Sequence, residues 1–171
     1  MNICKIMLLG EMGVGKTSIA RRLAFGTFAG DYKSTIGVEI LTYEITNGPG
    51  GRPFQFLIWD TDGSFGDAIF ETVYLSNAQA ALFVGDVARP STLTTVAHLA
   101  DLFDQRLPGR YTAAVLNKID LLDATAGAPE LPPELAGHGR PIVQTSAKTG
   151  QGVAEAFHDA AETIVRRGLL Q

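Results

Sequence analysis

The sequence predicts an α/β domain with a doubly wound, mostly parallel sheet and helices on both faces. Three observations predict it. Apolar runs of strand length alternate with stretches of helical spacing along the chain, the order that builds a parallel sheet. The run Ala80 to Gly85 is apolar throughout, as suits a strand covered on both faces. A glycine-rich turn joins the first apolar run to the first helical stretch. The 171 residues, 46% hydrophobic and 19% charged, are expected to form one globular domain.

The elements follow in order. Lys5 to Leu9 reads as a buried strand, and a helix runs from about Lys16 to Phe25. Gly37 to Thr46 and Phe54 to Trp59 read as strands, paired as a hairpin across the turn cluster Asn47-Gly48-Pro49-Gly50-Gly51. Ala80 to Gly85 is the next strand. Leu93, Val96, Ala97, Ala100, Phe103 and Leu107 recur at helical spacing, and Tyr111 to Leu116 is a short strand. Residues Asp123 to Arg140 are rich in Ala, Pro and Gly. Any helix there must be short, because Pro132-Pro133 cannot sit inside one. Pro141 to Gln144 is the last strand. Val153, Phe157, Ala160, Ile164 and Val165 mark a final amphipathic helix, with Arg166 and Arg167 at its negative dipole end.

Composition narrows the function. The net charge is −4 and no Lys/Arg run exceeds two, so nucleic acid and anionic membrane are poor direct partners. The one cysteine, Cys4, allows no intramolecular disulfide and no thiolate zinc cluster, which fits a reducing, cytoplasmic setting. Cys4 is expected in the core. No stretch approaches the ~20 apolar residues of a membrane span, and no secretory pattern opens the chain. The last residues, Arg166 to Gln171, hold no cysteine to prenylate, so no direct membrane anchor is expected. His98, His138 and His158 lack metal-ligand spacing, and Arg21-Arg22 reads as a solvated helix face.

Gly10-Glu11-Met12-Gly13-Val14-Gly15-Lys16-Thr17 matches G-x-x-x-x-G-K-[ST] between a strand and a helix. Glycines there let the backbone curl with its N–H groups inward, a nest for phosphate at a helix N-terminus. Lys16 is placed to reach the β- and γ-phosphates, and Thr17 to give its hydroxyl to Mg²⁺. Asn117-Lys118-Ile119-Asp120 follows the strand Tyr111 to Leu116 on the edge where such sheets bind ligands. The Asp120 carboxylate is suited to accept from guanine N1–H and the 2-amino group together, a donor pair that adenine lacks. The stem of Lys118 suits the base plane. Thr145-Ser146-Ala147-Lys148 follows the last strand and offers a backbone N–H to guanine O6.

With these motifs, and with Tyr32-Lys33-Ser34-Thr35-Ile36-Gly37-Val38 and Trp59-Asp60-Thr61-Asp62-Gly63, the chain resembles the Ras superfamily of small GTPases, most nearly its Rab branch. The resemblance spans nearly the whole chain. It implies a single small-GTPase domain over residues 1–171 with the P-loop NTPase fold: six strands, Gly37 to Thr46 antiparallel to the rest. It implies a GTP/GDP site of Gly13, Val14, Gly15, Lys16, Thr17, Ser18, Phe28, Thr35, Gly63, Asn117, Lys118, Asp120, Ser146, Ala147 and Lys148, with Phe28 against the guanine. Mg²⁺ would be held by Thr17, Thr35 and Asp60, the last through water. The γ-phosphate would hold Thr35 and Gly63, so that its loss relaxes both loops. An effector surface is expected at Ile40, Trp59 and Tyr74, on a monomer.

The departures concern hydrolysis. Small GTPases of this kind carry Gln directly after the Asp-x-x-Gly glycine to orient the attacking water; here that position is Ser64, too short to reach the same place. Asp62 sets a carboxylate near the γ-phosphate. Met12 replaces a small residue and crowds an arginine finger. Residues 64–76 contain no Lys or Arg. The Rnd proteins, which also carry Ser there, hydrolyse GTP poorly. The residues expected to act on the γ-phosphate and water are therefore Lys16, Thr35, Gly63, Ser64 and Asp62, and the expected function is a GTP/GDP switch with weak hydrolysis. The alternative is a GTP-loaded interaction module. A nucleotide kinase is disfavoured by Asn117 to Asp120 and by the lack of an Arg-rich lid.

Overall fold

Strand-length apolar runs become strands, and the first, third, fourth and fifth extend beyond their predicted spans. In a computed structural model, which describes residues 1–31, 33–125, 127–137 and 139–170, β1 spans Asn2–Leu9, three residues earlier than predicted. The extra residues pair with Phe54–Phe56 of β3 (Phe54–Thr61). β2 (Val38–Ile45) pairs antiparallel with β3 across a 3₁₀ turn at Pro49–Gly51, giving the predicted hairpin. β4 (Ala80–Asp86) and β5 (Tyr111–Asn117) each run one residue beyond the predicted end. β6 (Ile142–Gln144) starts one residue later, because Pro141 has no N–H to give; its carbonyl accepts from Ala114 N at 2.9 Å.

The sheet order is β2-β3-β1-β4-β5-β6, parallel except for β2. Side chains alternate between two cores, as the period of a strand requires. Cys4, Ile6, Leu8, Leu82, Val84, Ala113 and Val115 enter one core with α1 (Lys16–Phe25) and α4 (Val153–Arg166). Met7, Leu9, Ala81, Phe83, Ala114 and Leu116 enter the other with α2 (Ser91–Arg106) and α3 (Pro133–Ala136). β4 is buried along its whole length, as its unbroken apolar run predicts. The proline pair holds α3 to four residues. Cys4 is fully buried, and burial pushes its thiol up to about 12, so it is a core residue without thiolate character.

The sequence gives no periodic signal between β3 and β4. The structure places 3₁₀ turns at Gly63–Glu71 and Val73–Leu75, kinked at Gly66 (φ 48°, ψ −134°). Ile69, Phe70 and Leu75 anchor this segment in the second core. His138, Tyr32, Ala126 and Gln171 lie outside the described residues. Among the described residues no helix is long and apolar enough to cross a membrane.

Phe157 of α4 is fully buried, with its ring 5.4 Å from Phe56 at 80° and 6.5 Å from Tyr43. Phe157→Ala is expected to lower stability by about 3–5 kcal/mol through lost burial and a residual cavity. Urea unfolding followed by circular dichroism measures it; a loss below about 1 kcal/mol would mean that the core closes over the gap.

Candidate functional site

The C-terminal ends of β1, β4 and β5 meet at one edge, and the loop from Gly10 to Gly15 crosses it. Two glycines there have no substitute. A Cβ on Gly10 (φ 153°) would lie 2.3 Å from the Val84 carbonyl, and one on Gly15 (φ 104°) would lie 2.2 Å from Asn117 Nδ2. The loop is held by its carbonyls. Lys16 Nζ donates to Gly10 O (2.8 Å) and Glu11 O (2.7 Å), and Arg89 Nη2 donates to Met12 O (2.8 Å). Lys118 Nζ donates to Gly13 O (2.7 Å), and Asn117 Nδ2 to Val14 O (2.9 Å). A loop whose carbonyls are drawn toward such donors presents its N–H groups on the other side, as an anion nest does. α1 starts behind it with Gly15 as N-cap, no side-chain cap and no acidic residue in its first turn. Its orphan N–H groups and positive dipole end therefore lack an internal partner.

Lys16 is 6% exposed. Burial lowers its ammonium to about 8, while Asp60, Asp62 and Glu11 oppose the shift and Arg89 adds to it. Beside it lies a cluster of oxygens. Thr17 Oγ1 donates to Asp60 Oδ2 at 2.5 Å and lies 2.6 Å from Thr35 Oγ1, which is itself 3.4 Å from Asp60 Oδ2. Asp60 is fully buried, its Oδ1 has no hydrogen-bond partner, and burial raises its carboxyl above the usual range. Two hydroxyls and an orphaned carboxylate oxygen are donors that fit Mg²⁺, a hard cation that takes oxygen ligands and keeps some of its waters. Among the described residues there is no group of three or more His, Cys, Asp or Glu that would form an all-protein metal cage.

At the other end of the edge, Asn117 ties three segments. Beyond Val14, its Oδ1 accepts from Thr145 Oγ1 (3.0 Å) and from Ala147 N (3.2 Å). Asp120 is exposed, and its Oδ1 accepts from Ser146 Oγ at 2.6 Å, which orients the carboxylate. Lys118, in the left-handed region at φ 68°, also pairs with Asp86 Oδ2 at 2.8 Å. Burial alone would raise Asp86, yet Lys118, the Ala88 N–H and Arg89 together hold it below the usual carboxylate range. Phe28 follows α1 and is 39% exposed.

The expected solvated face at Arg21-Arg22 needs correction. Arg21 is exposed and pairs with Glu39 at 3.2 Å. Arg22 is half-buried: Nε donates to Ala147 O (2.8 Å), Nη2 to Lys148 O (2.5 Å) and Nη1 to Gly26 O (3.0 Å). It positions the 145–148 turn. Asp86 and Arg89 were also missed. The signal was present in Asp86, a charge directly after the apolar run of β4, which had to be buried against something. The two described histidines, His98 and His158, are exposed and contact Asp67 (2.9 Å) and Tyr43 (3.2 Å).

The segment after β3 abuts the loop. A Cβ on Gly63 would lie 2.4 Å from Met12 N. Asp62 N donates to Gly37 O (2.8 Å), joining this segment to the one that carries Thr35. The Asp62 carboxylate accepts from Ser64 N (2.8 Å), and this bond holds its carboxyl below the usual range. Ser64 is exposed, and Met12 is 46% exposed. Ile40 pairs with Trp59 across β2 and β3 and is 54% exposed. Trp59 is half-buried, 6.2 Å from the Tyr74 ring, with Lys5 Nζ 3.6 Å over its ring and its own Nε1 without a partner.

A family model described as the Ras family matches residues 5–166. The chain is 31% identical to GTP-binding protein YPT53 of Saccharomyces cerevisiae, over 94% of this chain and 76% of that protein. It is 30% identical to Ras-related protein Rab-10 of Caenorhabditis elegans (95% and 81%). It is 32% identical to Ras-related protein RABA2a of Arabidopsis thaliana (95% and 75%).

Asn117→Ala would leave the Val14 carbonyl, the Thr145 hydroxyl and the Ala147 N–H without their partner. The expected loss of stability is about 1–3 kcal/mol for each group left buried and unmet. Urea unfolding checks it, and an unchanged midpoint would mean that water replaces the amide.

Proposed function

The chain belongs to the Ras family, and on that premise we propose that it binds GTP and GDP with Mg²⁺ at this edge and acts as a Rab-like nucleotide switch with slow hydrolysis. The observation that carries the reading is the loop Gly10–Gly15, whose carbonyls are held by Lys16, Arg89, Lys118 and Asn117. Its N–H groups and the uncapped start of α1 are the phosphate cradle. Lys16 moves its ammonium from the Gly10 and Glu11 carbonyls to the β- and γ-phosphates, whose charge restores its proton affinity. Thr17, Thr35 and Asp60 hold Mg²⁺, with Asp60 free to act through water. The metal, when bound, neutralises phosphate charge.

The base lies over Lys118 and against Phe28, and Asp120 reads guanine N1–H and the 2-amino group. The likeness to YPT53, a GTP-binding protein, supports that choice. A backbone N–H of the 145–148 turn donates to guanine O6, and the Asn117 bond to Ala147 N holds that turn in place. The γ-phosphate fastens Thr35 and Gly63. The Asp62 N–H to Gly37 bond couples their loops, so losing that phosphate loosens both. Ile40, Trp59 and Tyr74 form the effector surface. Its content is one exposed aliphatic chain beside two aromatic rings, a composition common at binding hot spots.

Slow hydrolysis follows from what surrounds the γ-phosphate position. Ser64 is too short to hold water in line. Asp62 is kept ionised by the Ser64 N–H, so its repulsion of phosphate is permanent near neutral pH. Met12, with Arg89 on its carbonyl, crowds the approach of a partner's arginine. The same features favour a second reading, a GTP-loaded interaction module that hardly turns over.

Asp120→Asn is expected to weaken GTP binding and improve that of xanthosine triphosphate, whose 2-oxo group needs a donor. The loss of a charge-assisted bond is about 1.5–3 kcal/mol. Competition titrations measure it, and displacement of GDP by ATP as effective as by GTP would refute the base assignment.

Single-turnover hydrolysis tests the rest. Ras turns over unaided at about 10⁻⁴ s⁻¹, and the wild-type chain is expected to be no faster. Ser64→Gln should help modestly, and Ser64→Gln with Asp62→Ala should help more. A rate that falls in the double variant would make Asp62 and Ser64 a working catalytic pair. No detectable turnover in any variant would favour the interaction module.

A further inference from the structure

The sheet has a second polar edge. β5 begins at Tyr111 and β6 at Ile142, so their starts lie opposite the nucleotide edge. α2 ends there at Arg106 and α4 at Arg166. Between them is a cavity of about 200 Å³ whose lining includes Asp104, Arg110, Tyr111, Thr112, Arg140 and Arg167. Among the described lining residues are three guanidinium groups and one carboxylate, in a chain whose net charge is −4.

Arg140 is the buried member, with its side chain 3% exposed. Its Nε donates to Thr112 Oγ1 (3.1 Å) and its Nη2 to Asp104 Oδ2 (2.6 Å). Its Nη1 is buried with no hydrogen-bond partner, and the guanidinium lies 5.8 Å over the Phe83 ring. Asp104, its carboxylate partner, is half exposed. Arg167 is exposed and donates to a neutral group, the Gly109 carbonyl, at 3.2 Å. Arg110 is half-buried. Tyr111 is buried, and burial followed by the nearby Asp159 charge pushes its phenol up to about 12, which keeps it neutral.

Asp104 neutralises Arg140, so Arg110 and Arg167 leave a local positive field at the cavity that an anion can meet. Guanidinium forks match oxyanions in two-point geometry, better than ammonium groups do. The volume, about 200 Å³, lies below the roughly 300–1,000 Å³ of clefts for drug-sized ligands, so it suits a compact group. We infer that this cavity is an anion site for a phosphate monoester, held by Arg110 and Arg167 over the buried Arg140 and distinct from the phosphate loop. The phosphate group reaches it either on a small soluble molecule or on a lipid headgroup.

The test uses the full chain in excess Mg²⁺ and GDP. Inorganic phosphate and glycerol 3-phosphate are titrated by calorimetry against sodium chloride of equal ionic strength. Co-sedimentation compares phosphatidylcholine vesicles with and without phosphatidylinositol 4-phosphate. The variant is Arg110→Gln with Arg167→Gln, which leaves the buried Arg140 clamp in place; an unchanged thermal midpoint in chloride establishes that it folds. Saturable phosphate or monoester binding, weakened on the order of tenfold or more in the variant, is the expected result. Tighter binding of the phosphoinositide vesicles than of the soluble monoester, lost in the variant, assigns the lipid source; the reverse order assigns the soluble one. Absence of saturable binding in every arm, or binding equal in wild type and variant, overturns the site. Binding at the phosphate loop would persist in the variant and so counts against it.

Discussion

Everything at the nucleotide edge depends on one constraint: five consecutive carbonyls of the loop, from Gly10 to Val14, each accept a side-chain hydrogen bond. The donors come from the start of α1, from the loop before α2 and from the end of β5. A peptide unit turned by its carbonyl turns its N–H as well, so these bonds decide what the loop shows to a ligand. They also explain the length of the flanking strands. β4 and β5 each carry one polar residue past the apolar run, Asp86 and Asn117, and those residues orient or supply the donors. Asp86 contacts no loop carbonyl itself; it fixes Lys118 and Arg89, which do.

The electrostatics are arranged for an anion. Lys16 is buried and its charged form is disfavoured by that burial, while Asp60 is buried and raised for the same reason. Each is a costly charge whose field is left partly unmet. In the proposed function, a phosphate and a divalent cation entering together would satisfy both. The Asp62 carboxylate runs the other way: its bond to Ser64 N stabilises the charge, and the chain keeps a negative group beside the proposed phosphate position.

Much of this was legible beforehand. The strands were readable because apolar runs are long and uninterrupted in β1, β4 and β5, and the phosphate loop because glycine positions are forced by close backbone approach. Ends were less readable. Polar residues that close a strand look like loop, so Asp86, Asn117 and Thr61 fell outside the predicted spans. The 63–75 segment gave no signal, since 3₁₀ turns pinned by Ile69, Phe70 and Leu75 have neither period. Arg22 was misread because its partners are backbone carbonyls more than a hundred residues away, which no local pattern announces. The arginine cavity was invisible for the same reason, as its members come from three separate stretches of chain.

Arg22 has a mechanical consequence. Lys16 grips the phosphate loop and Arg22 grips the 145–148 turn, and both stand on α1. Six helical steps separate them, a rise of about 9 Å. A helix is stiff along its axis, so α1 behaves as a gauge block between the two jaws of the cleft. The jaws cannot spread or close to suit a longer or shorter molecule without bending the helix or letting go of one jaw. The gap is thus measured by the protein before any ligand arrives.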